Sequence, residues 1–115
     1  MPMHDGDAPS SELLPGTLDM LILKTLTHGA AHGYAIARHL ERVSGDVLRV
    51  GESSLYPALQ RLLVNDWARA EWGESELKRR ARIYRITPAG RKHLAHEAQG
   101  FERMKGAIAA VMEWA

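Results

Sequence analysis

The sequence predicts a mainly α-helical (α+β) fold in which three helices precede a β-hairpin and one long helix follows it. Three observations lead to this prediction. Apolar residues recur at helical spacing in three early segments, and two short segments rich in Trp, Tyr and Ile mix apolar with charged positions. A last segment, Pro88 to Trp114, keeps a heptad-like and mostly apolar stripe. The 115 residues fit one domain and can bury one core.

The chain divides into three stretches. Residues 1–12 hold prolines, serines and scattered acids without an apolar period, so we expect a flexible tail. Residues 13–87 contain the three helices and the hairpin. Residues 88–114 form the last helix.

The first two helices are predicted from their apolar faces. The first begins near Thr17 and ends at Gly29, and Asp19 lies in its first turn, where the helix dipole favours a negative charge. The second runs from His32 to Ser44, and the turn formers Gly45 and Asp46 close it. The two apolar faces are Leu18, Leu21, Ile22, Thr25 and Leu26, and then Ile36, Ala37, Leu40 and Val43.

The third helix, residues 53–65, is predicted to present a polar surface. Ser53 is its expected N-cap, and Pro57 is tolerated because it falls in or just after the first turn. Leu55, Leu59 and Leu62 share one side. The opposite side is small, polar and cationic: Ser53, Pro57, Gln60, Arg61 and Val64.

The hairpin carries a local excess of positive charge. Its strands are predicted at residues 67–72 and 82–86, with a long charged connection from 73 to 81. The net charge of the chain is only +1, but no acidic residue interrupts positions 78–93. Such a block creates an electrostatic footprint that the net charge hides. Its basic residues are Lys78, Arg79, Arg80, Arg82, Arg85, Arg91 and Lys92.

The last helix is predicted to associate with a second copy of the chain. Thr87 is its expected N-cap and Pro88 suits its first position. The stripe along this helix is longer than so small a domain can cover. The stripe comprises Leu94, Glu97, Ala98, Phe101, Met104, Lys105, Ile108, Val111 and Met112.

Composition and motifs exclude several classes of function. The absence of cysteine excludes disulfides and thiolate catalysis. The histidine spacings, His28 with His32 and His93 with His96 and Glu97, are weak metal signals, and isolated surface histidines are the better interpretation. No nucleophile elbow or phosphate-binding glycine loop occurs. We therefore expect no enzyme activity, no cofactor and no metal. Without an apolar run of ~20 residues or a signal peptide, we also expect a cytoplasmic protein.

The order of elements is that of a winged helix-turn-helix with a two-stranded wing and a C-terminal dimerisation helix. The chain also resembles the PadR family of bacterial transcriptional regulators, in its short form, over about residues 13–114. The matching fragments are 14–18 (LPGTL), 32–36 (HGYAI), 54–62 (SLYPALQRL) and 84–90 (YRITPAG). The resemblance implies a homodimer built from the first and last helices, a palindromic operator near a promoter, repression, and in some members a small aromatic effector.

Candidate DNA contacts follow from the chemistry of the third helix and the wing, residues 73–85. Gln60 suits adenine and Arg61 suits guanine, while the N-terminus of the helix suits a phosphate. The resemblance places Tyr56 on the sugar-phosphate backbone, although it could instead pack beneath the wing. The predicted DNA contacts are Ser53, Ser54, Tyr56, Pro57, Gln60, Arg61, Arg79, Arg80 and Arg82. The predicted dimer interface is Leu18, Leu21, Leu94, Phe101, Met104, Ile108 and Val111.

Two alternatives stay open at this stage. The basic wing could contact an acidic protein or RNA, which would make the chain a protein-interaction module. The regulator could also sense an aromatic ligand held between subunits near Phe101 and Trp114. Trp67, Trp72 and Tyr84 are expected to be core or strand partners rather than ligand contacts.

Overall fold

In the computed structural model, which describes residues 15–74 and 77–115, four helices pack with a small antiparallel sheet. This confirms the predicted α+β fold with a wing and a long last helix. The tail predicted at residues 1–12 lies outside the described residues. The elements are α1 Pro15–Leu26, β1 Ala31–His32, α2 Gly33–Val43, α3 Glu52–Val64, β2 Ala68–Glu74, β3 Arg80–Ile86 and α4 Pro88–Met112.

The core lies where α1, α2 and α3 meet the sheet. The apolar periods predict most of it correctly: the largest fully buried side chains are Ile22, Leu23, Leu26, Ile36, Leu59 and Leu62. Val43 is an exception, because it is the last residue of α2 and is 69% exposed. Close packing at the other end of α2 uses Gly33, where an added Cβ would lie 3.3 Å from Leu59 Cδ1.

Two helix starts differ from the prediction. The N-cap of α3 is Gly51 rather than Ser53, and no side chain caps it. Because α1 begins at Pro15, Asp19 lies beyond the first turn, and it is buried, at 5% exposed. Its charge is therefore compensated by a side chain on another helix rather than by the helix dipole.

The sheet contains one strand more than the prediction. Its order is β1-β3-β2, and the two-residue β1 pairs Ala31 with Tyr84. The β2–β3 ladder runs from Ala68 opposite Ile86 to Glu74 opposite Arg80, so the strands are longer and the tip is shorter than predicted. No periodicity is detectable in a strand of two residues, and only its pairing with β3 defines it.

The junction between the wing and α4 is tightly packed. Thr87 is the N-cap of α4, as predicted, and its Oγ1 accepts a hydrogen bond from the Gly90 amide at 2.9 Å and donates one to the Asp66 carbonyl at 2.6 Å. A Cβ added at Gly90 would lie 2.0 Å from the Trp67 carbonyl oxygen, so only glycine fits there. None of the described helices is long and apolar enough to cross a membrane.

Candidate nucleic-acid interface

A cleft of about 490 Å³ separates α3 from the wing, which we define as β2, β3 and their connection. We call it the α3–wing cleft. Its lining residues, all in the described part of the chain, include no carboxylate. They are His32, Gly33, Tyr34, Tyr56, Gln60, Trp72, Arg80, Ala81, Arg82 and Tyr84.

The α3 wall of the cleft carries predicted DNA contacts. Tyr56 and Gln60 are one turn apart, and both are exposed, Tyr56 to 49%. Ser53 and Pro57 are also exposed on α3, and Ser54 is half-buried. Because no side chain caps the N-terminus of α3, the first amide groups of the helix can bind a phosphate. The outward face of α3 thus places the exposed side chains of Tyr56 and Gln60 on the same helix as an N-terminus that no side chain caps.

Arg61 corrects the sequence prediction, because it does not lie on the outward face. Its guanidinium binds both carboxylate oxygens of Asp19 on α1, with Nη2 2.8 Å from Oδ1 and Nε 3.1 Å from Oδ2. This hydrogen bonding raises the pKa of Arg61. The two side chains are 37% and 8% exposed, respectively. Arg61 therefore joins α3 to α1 through an ion pair. This position does not support the predicted contact with guanine.

The wing wall is cationic and aromatic. In the β2–β3 register Trp72 lies opposite Arg82, and Arg80 is two residues further along the same face of β3. The guanidinium of Arg80 is 4.6 Å from the centre of the Trp72 ring, and that of Arg82 is 5.9 Å from it. Arg79 is exposed just before β3. The opposite face of the wing carries the ion pair of Arg85 with Glu71, at 3.2 Å.

The sequence predicts Trp72 as a core residue or a strand partner. It is a strand partner of Arg82, but it is 59% exposed and lines the cleft. The alternation of side chains along β2 explains this position. Ala68, Ala70 and Trp72 share one face of β2, and their exposure increases from the buried Ala68 to the exposed Trp72. The sequence alone could not predict this change in exposure along β2, because it depends on the register between β2 and β3.

The start of α2 forms the third wall, which the sequence prediction missed. Tyr34 is 61% exposed, and its hydroxyl accepts a hydrogen bond from Arg38 Nη1 at 2.9 Å. That bond raises the pKa of Arg38. The His32 side chain accepts a hydrogen bond from the Ala35 amide at 3.3 Å and so caps α2.

The floor of the cleft is Tyr84. It is 6% exposed, and burial raises the pKa of its hydroxyl. The Arg82 guanidinium lies 6.0 Å from its ring. Tyr84 therefore connects the hydrophobic core to the cationic part of the cleft.

The prediction of isolated surface histidines is wrong for two of them. His32 caps a helix, and the ring of His93 stacks on Trp67 at 3.5 Å between ring centres, at the junction of α4 with the wing. His93 Nε2 lies 3.8 Å from Glu97 Oε1. Within the described residues no group of three or more His, Asp or Glu side chains could hold a metal ion.

The predicted dimer residues fall into three groups. Leu18 is 4% exposed and belongs to the core of its own chain, so its prediction as an interface residue is wrong. Leu21 and Leu94 are half-buried against that core. The remaining members of the predicted set form an exposed apolar stripe along α4, spaced three or four residues apart: Phe101, Met104, Ile108 and Val111.

Comparison with known proteins identifies the family. The family model described as the transcriptional regulator PadR-like family matches residues 22–96. The chain belongs to this family. It is accordingly a DNA-binding transcriptional regulator and not an enzyme.

Individual relatives agree with this PadR-like assignment. The structure of a transcriptional regulator from Clostridium thermocellum superposes on this chain with a TM-score of 0.77 and 31% sequence identity. The match covers 85% of this chain and 95% of that one. A PadR family regulator from Eggerthella lenta shares 27% identity and a TM-score of 0.75, over 91% of this chain and 89% of that one.

One relative is much longer. An uncharacterised protein of a Streptomyces fradiae transposon is 43% identical over 89 residues, which are 77% of this chain but only 24% of that protein. The PadR-like chain thus spans about a quarter of this relative.

Proposed function

We propose that the chain is a repressor that binds a palindromic operator as a homodimer. The observation that carries the proposal is the α3–wing cleft, where the outward face of α3 and the cationic face of the wing converge without a carboxylate among the described lining residues. Binding to chromosomal DNA would place the protein in the cytoplasm.

In this proposal α3 lies in the major groove and the wing lies over the neighbouring backbone. Gln60 forms the base contact, since its amide can bond adenine at two positions. The DNA sugar-phosphate backbone would lie against four other residues of α3: Ser53, Ser54, Tyr56 and Pro57. Three cationic side chains of the wing then contact phosphates or enter the minor groove: Arg79, Arg80 and Arg82.

The homodimer follows from the exposed stripe on α4. Phe101 is 48% exposed, Met104 60%, Ile108 54% and Val111 66%. A helix with so many exposed apolar residues at heptad-like spacing is stabilised by pairing with a second copy. A two-fold dimer presents two α3 helices to half-sites about 34–36 Å apart, so the operator is expected to be palindromic.

Binding to DNA selected from a random pool tests this proposal. Fluorescence anisotropy should give at least ~10³-fold tighter binding to the selected palindrome than to random duplex. Because the dimer carries each arginine twice, Arg80→Gln and Arg82→Gln should each reduce the slope of log affinity against log salt by about 1.8, that is about 0.9 per protomer. Arg85→Gln removes the same charge from the opposite face of the wing and should leave the slope nearly unchanged.

Three results would contradict parts of the proposal. Equal affinity for the palindrome and for random DNA would mean that the protein does not bind DNA sequence-specifically. Weak binding of duplex together with tight binding of RNA or of an acidic protein would favour a winged-helix interaction module. A promoter–reporter fusion that is less active without the protein would indicate activation rather than repression.

A further inference from the structure

Helix α1 packs against both α3 and α4. On one side, Asp19 of α1 accepts two hydrogen bonds from the guanidinium of Arg61 on α3, at 2.8 Å and 3.1 Å. The next residue of α1, Met20, lines a groove of about 330 Å³ between α1 and α4. The α4 side of this groove includes Phe101 and Met104, which also belong to the exposed stripe. Helix α1 therefore connects the proposed base-reading helix with the proposed dimer helix.

The contact between α3 and α1 combines two kinds of interaction. Aliphatic side chains such as Leu59 of α3 and Ile22 of α1 share one hydrophobic cluster, and apolar attraction is non-directional. The fork of Arg61 instead fixes both the distance and the direction of its partner, because its two N–H groups bind the two oxygens of one carboxylate. The Asp19 side chain is 8% exposed, so water competes little for these bonds. Among the described residues, no other side-chain hydrogen bond or ion pair joins α3 to another helix.

Arg61 directly follows Gln60, the proposed base contact. The Gln60 side chain lines the α3–wing cleft, whereas that of Arg61 binds α1. Successive residues of a helix project about 100° apart, so the same turn of α3 faces the DNA and is attached to α1. A rotation of α3 would therefore move Gln60 and break the hydrogen bonds of Arg61 at the same time.

We infer that Arg61 is a positioning residue that sets the relative orientation of the two α3 helices in the dimer, and with it the half-site spacing that the protein accepts. The ion pair holds each α3 against its own α1, and α1 packs against α4, where the two copies meet. This inference rests on the proposed homodimer and its palindromic operator. It gives the ion pair a role in recognition besides its contribution to folding.

The spacing of the two half-sites reports on that orientation. One inserted base pair moves the second half-site by about 3.4 Å and rotates it by about 35°. Two rigidly held α3 helices cannot follow this change, whereas helices held by apolar contacts alone can absorb part of it. Loss of the ion pair should therefore relax the preference for spacing and leave the preference for each base unchanged.

Operator duplexes with one inserted or one deleted central base pair test the inference. By fluorescence anisotropy, the wild-type protein should bind either duplex about tenfold more weakly than the operator, or weaker still. Arg61→Met should lose less than about threefold, and Arg61→Lys, which keeps the charge but not the fork, should lie between them. Base-pair changes inside a half-site should cost the wild type and both variants the same factor. Arg69→Met breaks an exposed ion pair and should keep the wild-type spacing preference.

Pulsed electron paramagnetic resonance tests the orientation without DNA. The chain contains no cysteine, so Val64→Cys, at the exposed end of α3, carries one spin label per protomer. The distance between the two labels should be narrowly distributed when Arg61 is present and at least about twofold broader in Arg61→Met. Labels at Val43→Cys, at the exposed end of α2, should give the same width in both proteins. Circular dichroism shows whether Arg61→Met is folded, and Arg61→Lys replaces it if it is not.

The outcomes separate this inference from the proposed function. If the dimer binds its operator specifically and loss of the ion pair changes neither the spacing preference nor the distance distribution, this inference alone fails. Equal broadening at Val43 and Val64 would mean a general loosening of the fold and would also overturn it. If only the Val64 distances broaden while no specific DNA is found, the proposed operator fails and the positioning of α3 by Arg61 remains. Labels without a measurable distance would mean a monomer, and the inference would fail together with the homodimer.

Discussion

The ion pair between Arg61 and Asp19 should contribute more to stability than any surface ion pair among residues 15–74 and 77–115. Arg61→Met keeps most of the aliphatic stem but leaves a carboxylate that is 8% exposed without its two charge-assisted hydrogen bonds. Breaking a fully buried pair costs about 3–5 kcal/mol. Because the Arg61 side chain is 37% exposed, water screens part of the interaction, so we expect a loss of about 2–3 kcal/mol. The Tm should fall by roughly 10–20 °C.

Urea unfolding at one protomer concentration measures this loss. Arg69→Met is the matched control, because its partner Asp66 is 3.5 Å away and both side chains are largely exposed, at 76% and 66%. The control should lose less than about 0.5 kcal/mol. A cycle with Asp19→Leu and the double variant should give a coupling energy of about 1–3 kcal/mol.

Two results would refute this reasoning. A loss for Arg61→Met no larger than that of Arg69→Met, with no coupling to Asp19, would mean that the pair does not stabilise the fold. Relaxed discrimination at one base pair, measured while Arg61→Met is fully folded, would mean that Arg61 contacts DNA after all.

Three further predictions concern α4 and its start. Gly90→Ala should lose more than about 3 kcal/mol by chemical denaturation, since its Cβ would meet the Trp67 carbonyl at 2.0 Å, whereas Gly106→Ala, with nothing within 4 Å, should gain about 0.5–1 kcal/mol; equal effects would contradict the packing. Thr87→Ala removes both the cap and a buried hydrogen bond and should lose about 2 kcal/mol in the same assay, and a loss under 0.5 kcal/mol would show that the cap is dispensable. If the chain forms the proposed homodimer, Ile108→Glu should convert it to a monomer in sedimentation analysis, whereas Gly106→Glu, on the opposite side of α4, should leave it dimeric; a dimeric Ile108→Glu would mean that the stripe is not the interface.

The helices and most of the core could be predicted because they depend on local order. A helix buries residues three and four apart, so Ile22, Leu26, Leu59 and Leu62 can be recognised along the chain without its partners. The start of α4 was equally local, since Thr87 and Pro88 act on their own helix.

Contacts between distant elements could not be predicted in this way. Arg61 and Asp19 are 42 residues apart, and the sequence predicts a separate role for each, base recognition for Arg61 and a helix-dipole interaction for Asp19. The apolar face that contains Leu18 does not show whether its own chain or a second copy of the chain covers it, so the sequence predicts an interface residue where the structure has a core residue. The strand β1 exists only through its pairing with β3.

The order of the elements, the basic wing and the family could be recognised along the chain, because periodicity, charge and short motifs are properties of neighbouring residues. Which side chains share a surface depends instead on the tertiary structure. The register of β2 and β3 puts Trp72 beside Arg82, and the packing of α2 against α3 adds Tyr34 to the same cleft. Such proximity depends on how strands pair and helices cross. Both depend on contacts between residues that are far apart in the chain, and these contacts form only when the elements pack together.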